Sequence, residues 1–141
     1  MTKGDILIKL SSKLTQFVVP DIICFDIENW THDKDQILYE INKIKASKLI
    51  IRSSALSEDS ESDSEAGLYD SIMNVSRNNS HISESIEFVK QSFLKKGNFD
   101  LKNKIIVQRQ ISNVSSSGVI FTHELNNGAP YYVINYDDKS G

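Results

Sequence analysis

The stretch IIRSSALSEDSESDSEAGLYDSIMNV, Ile50 to Val75, decides how the rest of the chain is read. A β-branched run too short for a helix ends in Arg52 and two serines, which predicts a buried strand delivering a cation and hydroxyls into a loop. Between Leu56 and Glu65 five carboxylates alternate with serines, with almost no apolar anchor, so this loop is expected to be mobile and cut first by proteases. Gly67 closes the loop, and LYDSIMNVS has strand character again. A strand, a polar loop and a glycine before the next strand make a phosphate cradle: Arg52 offers a fixed fork of donors, and Gly67 lets backbone N–H groups come close. The residues alone leave a second reading open, in which Arg52 pairs with Glu58 or Asp59. A calcium loop counted from Asp59 fails, because its sixth and twelfth positions are Ser64 and Asp70 rather than glycine and glutamate.

Outward from this segment, the elements alternate. Ile6, Leu7, Leu10 and Leu14 predict an amphipathic helix over about Asp5 to Thr15, which Val18, Val19 and Pro20 end. DIICF reads as a short strand. Ile37, Leu38, Ile41 and Ile44 mark a second helix capped around Thr31 to Asp33, and Ser80 is the expected cap of a third carrying Ile82, Ile86, Val89 and Phe93. After the polar KKGNFDLKN only strands are expected: KIIVQRQI, SGVIFTH and APYYVINY. Asn126, Asn127 and Gly128 supply a hairpin turn between the last two. The fold class is therefore α+β, mixed helices and strands followed by an antiparallel strand meander that looks cut. Two portions are expected, 1–100 and an incomplete 101–141, with the chain read as a piece of a longer protein. The edge of the cut sheet, with Val119, Phe121, Tyr132 and Ile134, is expected to favour self-association.

The 141 residues fit one ordinary domain, and 39% hydrophobic with 25% charged residues is the composition of a soluble globular protein. Sixteen basic against nineteen acidic side chains give a net charge of -3, which argues against a general nucleic-acid or anionic-membrane surface. No run approaches the roughly 20 apolar residues that span a bilayer, and no signal-peptide core is present. The single cysteine, Cys24, cannot form an internal disulfide and sits in IICF, so it reads as a small buried hydrophobe in a cytoplasmic protein. His32, His81 and His123 read as ordinary surface or interface histidines, and Asp137 and Asp138 as a polar turn.

With these residues in place, RSSALSEDSESDSEAGLYDSIMNV resembles the signature of the nucleotide-binding domain of phosphoenolpyruvate synthase, pyruvate phosphate dikinase and rifampin phosphotransferase. Those enzymes carry V-R-S-S-A, then E-D, then S-x-A-G and a strand ending L-N-V. Arg52, Ser53, Ser54, Ala55, Glu58, Asp59, Ser64, Ala66, Gly67, Asn74 and Val75 fall in register. IIVQRQI is similar to the family's V-V-V-Q-x-M-V strand, SSGVIFTHELNNG to its S-G-V-x-F-T-x-D-P-x-T-G hairpin, and TKGDILIKLSSKLTQFVVPDIICF to its G-G-K-G-x-x-L opening. Met1 and Thr2 replace the two glycines, Glu65 an aromatic and Leu68 a common glutamine, as in a divergent branch; the altered opening is expected to leave Lys3 prone to fraying.

The resemblance implies the N-terminal part of an ATP-grasp fold, with 1–100 as the first lobe and 101–141 as the start of the second. It further implies that Lys3 and Arg52 contact the ATP phosphates and that Arg52 carries the catalytic role. Gly67 and Ser71 would lie in the loop over the triphosphate, and Gln108 on the adenine side. Mg²⁺ is implied as a cofactor, its ligands on strands beyond Gly141. In the whole enzyme phosphate would pass from ATP to a carrier histidine in another domain, then to a small acceptor: pyruvate, or a specialised one such as the glutamine amide. The fragment alone would be inactive. The alternatives are a stand-alone nucleotide-binding or sensor module and an interaction domain built on the acidic loop.

Overall fold

In the computed structural model, which describes residues 2–56 and 71–138, each element follows from its local sequence. Helix α1 (Lys3–Ser11) is started by a capping box: the Thr2 side chain accepts from the Asp5 N–H, and the Asp5 carboxylate accepts from the Thr2 N–H at 3.0 Å. The expected helix over Asp5 to Thr15 is thus shifted towards the N-terminus, and Lys3 is its first residue. Strand β1 (Ile22–Asp26) runs directly into α2 (Ile27–His32), because the Asp26 side chain accepts from the Asn29 N–H. This short helix was not foreseen, and α3 (Lys34–Lys43) follows it at once. Strands β2 (Leu49–Ser54) and β3 (Ser71–Val75) flank the acidic loop. Helix α4 (Asn79–Lys95) is capped by Asn78, whose side chain accepts from the Ser80 N–H, so Ser80 is inside the helix rather than its cap.

Strand β4 (Lys104–Arg109) pairs antiparallel with both β1 and β2, giving one sheet of order β1-β4-β2-β3. One face carries Phe25, Leu49, Ile51, Val75, Ile105 and Val107, which pack with Trp30 of α2, Ile41 of α3 and Ile86 and Phe93 of α4. This is an α+β layer arrangement, three helices against a sheet face. The stacked rings of Phe25 and Trp30, with the Trp30 Nε1–H donating to Glu87 at 2.7 Å, satisfy the one polar atom of the indole.

The chain divides into two compact units, 1–110 and 111–141. The boundary expected near Gly97 to Asn103 falls instead on the turn between α4 and β4, and β4 is an inner strand of the first unit's sheet. Its fully buried Ile105, Ile106 and Val107 account for this, since such a run needs cover on both faces.

The second unit contains β5 (Ser117–Phe121) and β6 (Val133–Asp137), paired antiparallel, with the last strand shorter than APYYVINY suggested. The turn is held by Glu124, whose carboxylate accepts from the N–H groups of Asn126 and Asn127 at 2.9 and 3.0 Å, and Gly128 takes φ +68° as its hairpin position requires. Val119, Tyr132 and Ile134 are all exposed.

Candidate functional site

Side chains directly opposite one another in an antiparallel pair share a face, so the register of the four-stranded sheet assigns every residue a side. Opposite the helical core, three rows cross the strands: Asp26, Lys104 and Ser54; Cys24, Ile106, Arg52 and Ser71; Ile22, Gln108 and Ile50. Arg52 and Ser71, predicted from one stretch, and Gln108, predicted from another, therefore meet on one face. Arg52 and Ser71 are direct cross-strand partners, and Gln108 is diagonal to Arg52, roughly 7–8 Å away.

The position of Ser71 depends on a bulge. The β2–β3 register shifts between Leu49 and Ile51, and Asn74 takes φ +60° there. The extra residue lets Val75 stay in the core while Ser71 stands beside Arg52; an unbroken ladder would put one of them on the wrong side. Gln110 braces the bulge, its Oε1 accepting from the Asn74 N–H at 2.6 Å and its Nε2 donating to Asn74 Oδ1 at 3.0 Å. The left-handed backbone suits asparagine.

The fourth predicted residue, Lys3, arrives with α1. The helix lies over this same face: a Cβ on Gly4 would come within 2.4 Å of Cys24 Sγ and 3.3 Å of Ile106 Cγ1, so only glycine allows the approach. The Gly4 N–H donates to Ser54 Oγ at 3.0 Å, and Lys104 Nζ pairs with Asp5 Oδ1 at 2.5 Å. Lys3 thus begins a capped, docked turn instead of the frayed end that Met1 and Thr2 suggested. Ser54, Gly4, Asp5 and Lys104 were assigned no role from sequence. The signal for Gly4 was present, a glycine inside the first turn of a helix, where it has no propensity advantage.

Among the described residues the Arg52 guanidinium makes no hydrogen bond or ion pair, although the side chain is half-buried. Gln108 is only 6% exposed, and no hydrogen bond of its amide to a described residue is seen. Among the described residues, then, nothing occupies the donors of either side chain. Gly67, the carboxylates Glu58 and Asp59, and the loop expected to be mobile lie outside the described residues except for Leu56. Cys24 is half-buried under Gly4, and burial pushes its thiol up to about 11. Among the described residues no group of three or more His, Cys, Asp or Glu side chains could hold a metal ion. No helix among them is long and apolar enough to cross a membrane.

The hydrogen bond from Lys104 holds the Asp5 carboxyl down at about 2, against 3.8 ordinarily, and raises Lys104 in turn. A depressed carboxylate adds stability above its unfolded value and loses it as pH falls through its folded value. Asp5→Asn is therefore expected to lower the melting temperature slightly at pH 6, with the difference from wild type closing between about pH 4 and pH 2. Thermal melts of both proteins over that range check it; a difference independent of pH would remove the ion pair as the cause.

Residues 31–137 match the family model described as pyruvate phosphate dikinase, AMP/ATP-binding domain. The matched span holds Arg52, Ser71 and Gln108 and begins after Lys3 and α1. A comparison with curated proteins found no match. With three quarters of its length matched, and with the arginine, serine and glutamine of the sequence signature on one sheet face, the chain belongs to the AMP/ATP-binding domain family of pyruvate phosphate dikinase.

Proposed function

We propose that the sheet face carrying Arg52, Ser71 and Gln108, with Lys3 at its margin, binds ATP for phosphoryl transfer. The observation that carries the reading is the register, which gathers a guanidinium with no partner among the described residues, a hydroxyl and a buried amide on a single face of a domain from a nucleotide-binding family. Arg52 and Lys3 hold the phosphates, Arg52 as the bidentate partner and Lys3 as a point charge. Ser71, a residue of β3 and not of the loop that the resemblance implied, meets the triphosphate from the sheet beside Arg52. The glycine at 67 leaves room for backbone N–H groups to approach it, and Gln108 reads the adenine edge, since a carboxamide both donates and accepts. Mg²⁺ bound with the nucleotide would neutralise phosphate charge, its ligands lying outside the described residues. Residues 1–110 then form a first ATP-grasp lobe and 111–141 part of a second. The phosphate passes to a carrier histidine and on to a small acceptor, pyruvate or a specialised one such as the glutamine amide, in a cytoplasmic enzyme. The exposed Val119, Tyr132 and Ile134 support self-association through the hairpin.

Calorimetric titration of the intact protein tests the core of this reading. Wild type is expected to bind ATP, and Gln108→Leu to weaken it by roughly five- to tenfold, the worth of one or two neutral hydrogen bonds. Affinity for inorganic triphosphate, which has no base, should change less than about twofold. Equal losses for both ligands would detach Gln108 from the base, and no ATP binding by wild type would overturn the nucleotide reading.

A further inference from the structure

We propose that Ser54 is a positioning residue for Lys3: its hydroxyl holds the first turn of α1 against the sheet, so that the lysine stands over the face that carries Arg52. The inference rests on the nucleotide reading of that face. Ser54 ends β2 two residues after Arg52 on the same side, so their Cα atoms are roughly 6.5 Å apart. A hydroxyl so near a phosphate-binding arginine invites assignment as a second phosphate ligand. The geometry points elsewhere. Ser54 is fully buried, and its Oγ accepts the Gly4 N–H at 3.0 Å across fifty residues of sequence.

That N–H is one of the first four in α1, which have no acceptor within the helix. The capping box uses the N–H of Asp5, and Ser54 supplies the acceptor for Gly4. The turn is then gripped from three sides: Gly4 N–H on Ser54, the bare Gly4 Cα against Cys24 and Ile106, and the Asp5 carboxylate on Lys104. Lys3 immediately precedes Gly4 and moves with it. Removing the Ser54 oxygen leaves a buried N–H without a partner and loosens the contact that sets the turn's height above the sheet. The remaining grips, one of them a half-exposed ion pair, do not replace it.

The test uses the intact protein with Ser54→Ala, Lys3→Ala and the double variant, reading ATP affinity by titration and, without nucleotide, the rate at which a maleimide labels Cys24. The thiol lies beneath Gly4, so its labelling reports docking of the turn independently of ATP. Ser54→Ala is expected to speed labelling by about fivefold or more and to weaken ATP binding by about five- to tenfold. In the Lys3→Ala background the second loss should shrink to within about twofold, because the two residues act through one contact. Gly4→Ala, which pushes the turn off Cys24 while leaving the Ser54 hydroxyl in place, should reproduce both effects and covers the case in which Ser54→Ala folds poorly. Unchanged labelling in Ser54→Ala overturns the proposal, as do ATP losses that add fully in the double variant. No ATP binding by wild type overturns the nucleotide reading and the role of Lys3 with it, whereas the labelling rates still decide whether Ser54 docks the turn.

Discussion

If the proposed phosphotransferase reading holds, Arg52→Lys in the full-length enzyme is expected to slow ATP-dependent phosphohistidine formation roughly tenfold or more while leaving the fold in place. Lysine keeps the charge and loses the planar fork, so the difference isolates bidentate contact with a phosphate. One charge-assisted hydrogen bond contributes about 1.5–3 kcal/mol, which as transition-state stabilisation corresponds to factors from about ten upwards. The fold should tolerate the change, because the guanidinium makes no hydrogen bond or ion pair among the described residues and the backbone pairing of Arg52 with Ile106 and Ser71 is indifferent to the side chain. The competing role, a tie to Glu58 or Asp59, predicts the opposite pattern: a loss of stability under about 1 kcal/mol and an unchanged rate. Phosphohistidine formation and melting temperatures, measured side by side, separate the two. Equal rates would take Arg52 out of the phosphate site.

Phe93→Ala should produce the largest loss of stability, about 3–5 kcal/mol. Phe93 is fully buried in α4 and belongs to the cluster that includes Ile51, Ile105 and Val107 of the two inner strands. Its removal leaves a cavity between helix and sheet that this dense core closes only in part. Against a total of about 5–15 kcal/mol for a domain, such a loss brings the first unit close to unfolding at ordinary temperatures. The face carrying Arg52 and Gln108, whose side chains stand on the same strands, should be lost along with the core in one transition. Denaturant unfolding followed together with nucleotide affinity checks this. A cost below about 1 kcal/mol would mean that α4 does not support the sheet.

Much of the candidate site was legible in the sequence because its chemistry is local. Arg52 at the end of a β-branched run, Gly67 after a polar loop and Gln108 inside IIVQRQI each stand out against their neighbours, and their spacing carried the family resemblance that the match over residues 31–137 bears out. The α+β class was equally legible, since period and run length separate α3 and α4 from β2 and β4. Helix ends were less so: Asn78 and Ser80 are both good caps, and only the hydrogen bond to the Ser80 N–H chooses between them. The short α2 was hidden because Asp26 serves as the last residue of a strand and the cap of a helix at once.

What the tertiary structure decided was which residues stand together. Pairing of β4 between β1 and β2 moved the unit boundary from the neighbourhood of residue 100 to Gln110, because a strand buried on both faces belongs to whichever sheet covers it, and no local signal reports that choice. The bulge at Asn74 put Ser71 beside Arg52, since one extra residue reverses the face of everything before it. The docking of α1 likewise rests on contacts spanning 50 and 99 residues, Gly4 to Ser54 and Asp5 to Lys104. A single sequence specifies such partners through complementarity of shape and hydrogen bonding, which exists only once both surfaces have formed. The residue types proposed for a phosphate site were thus written along the chain, and the common face of Arg52, Ser71 and Gln108 was a product of the fold.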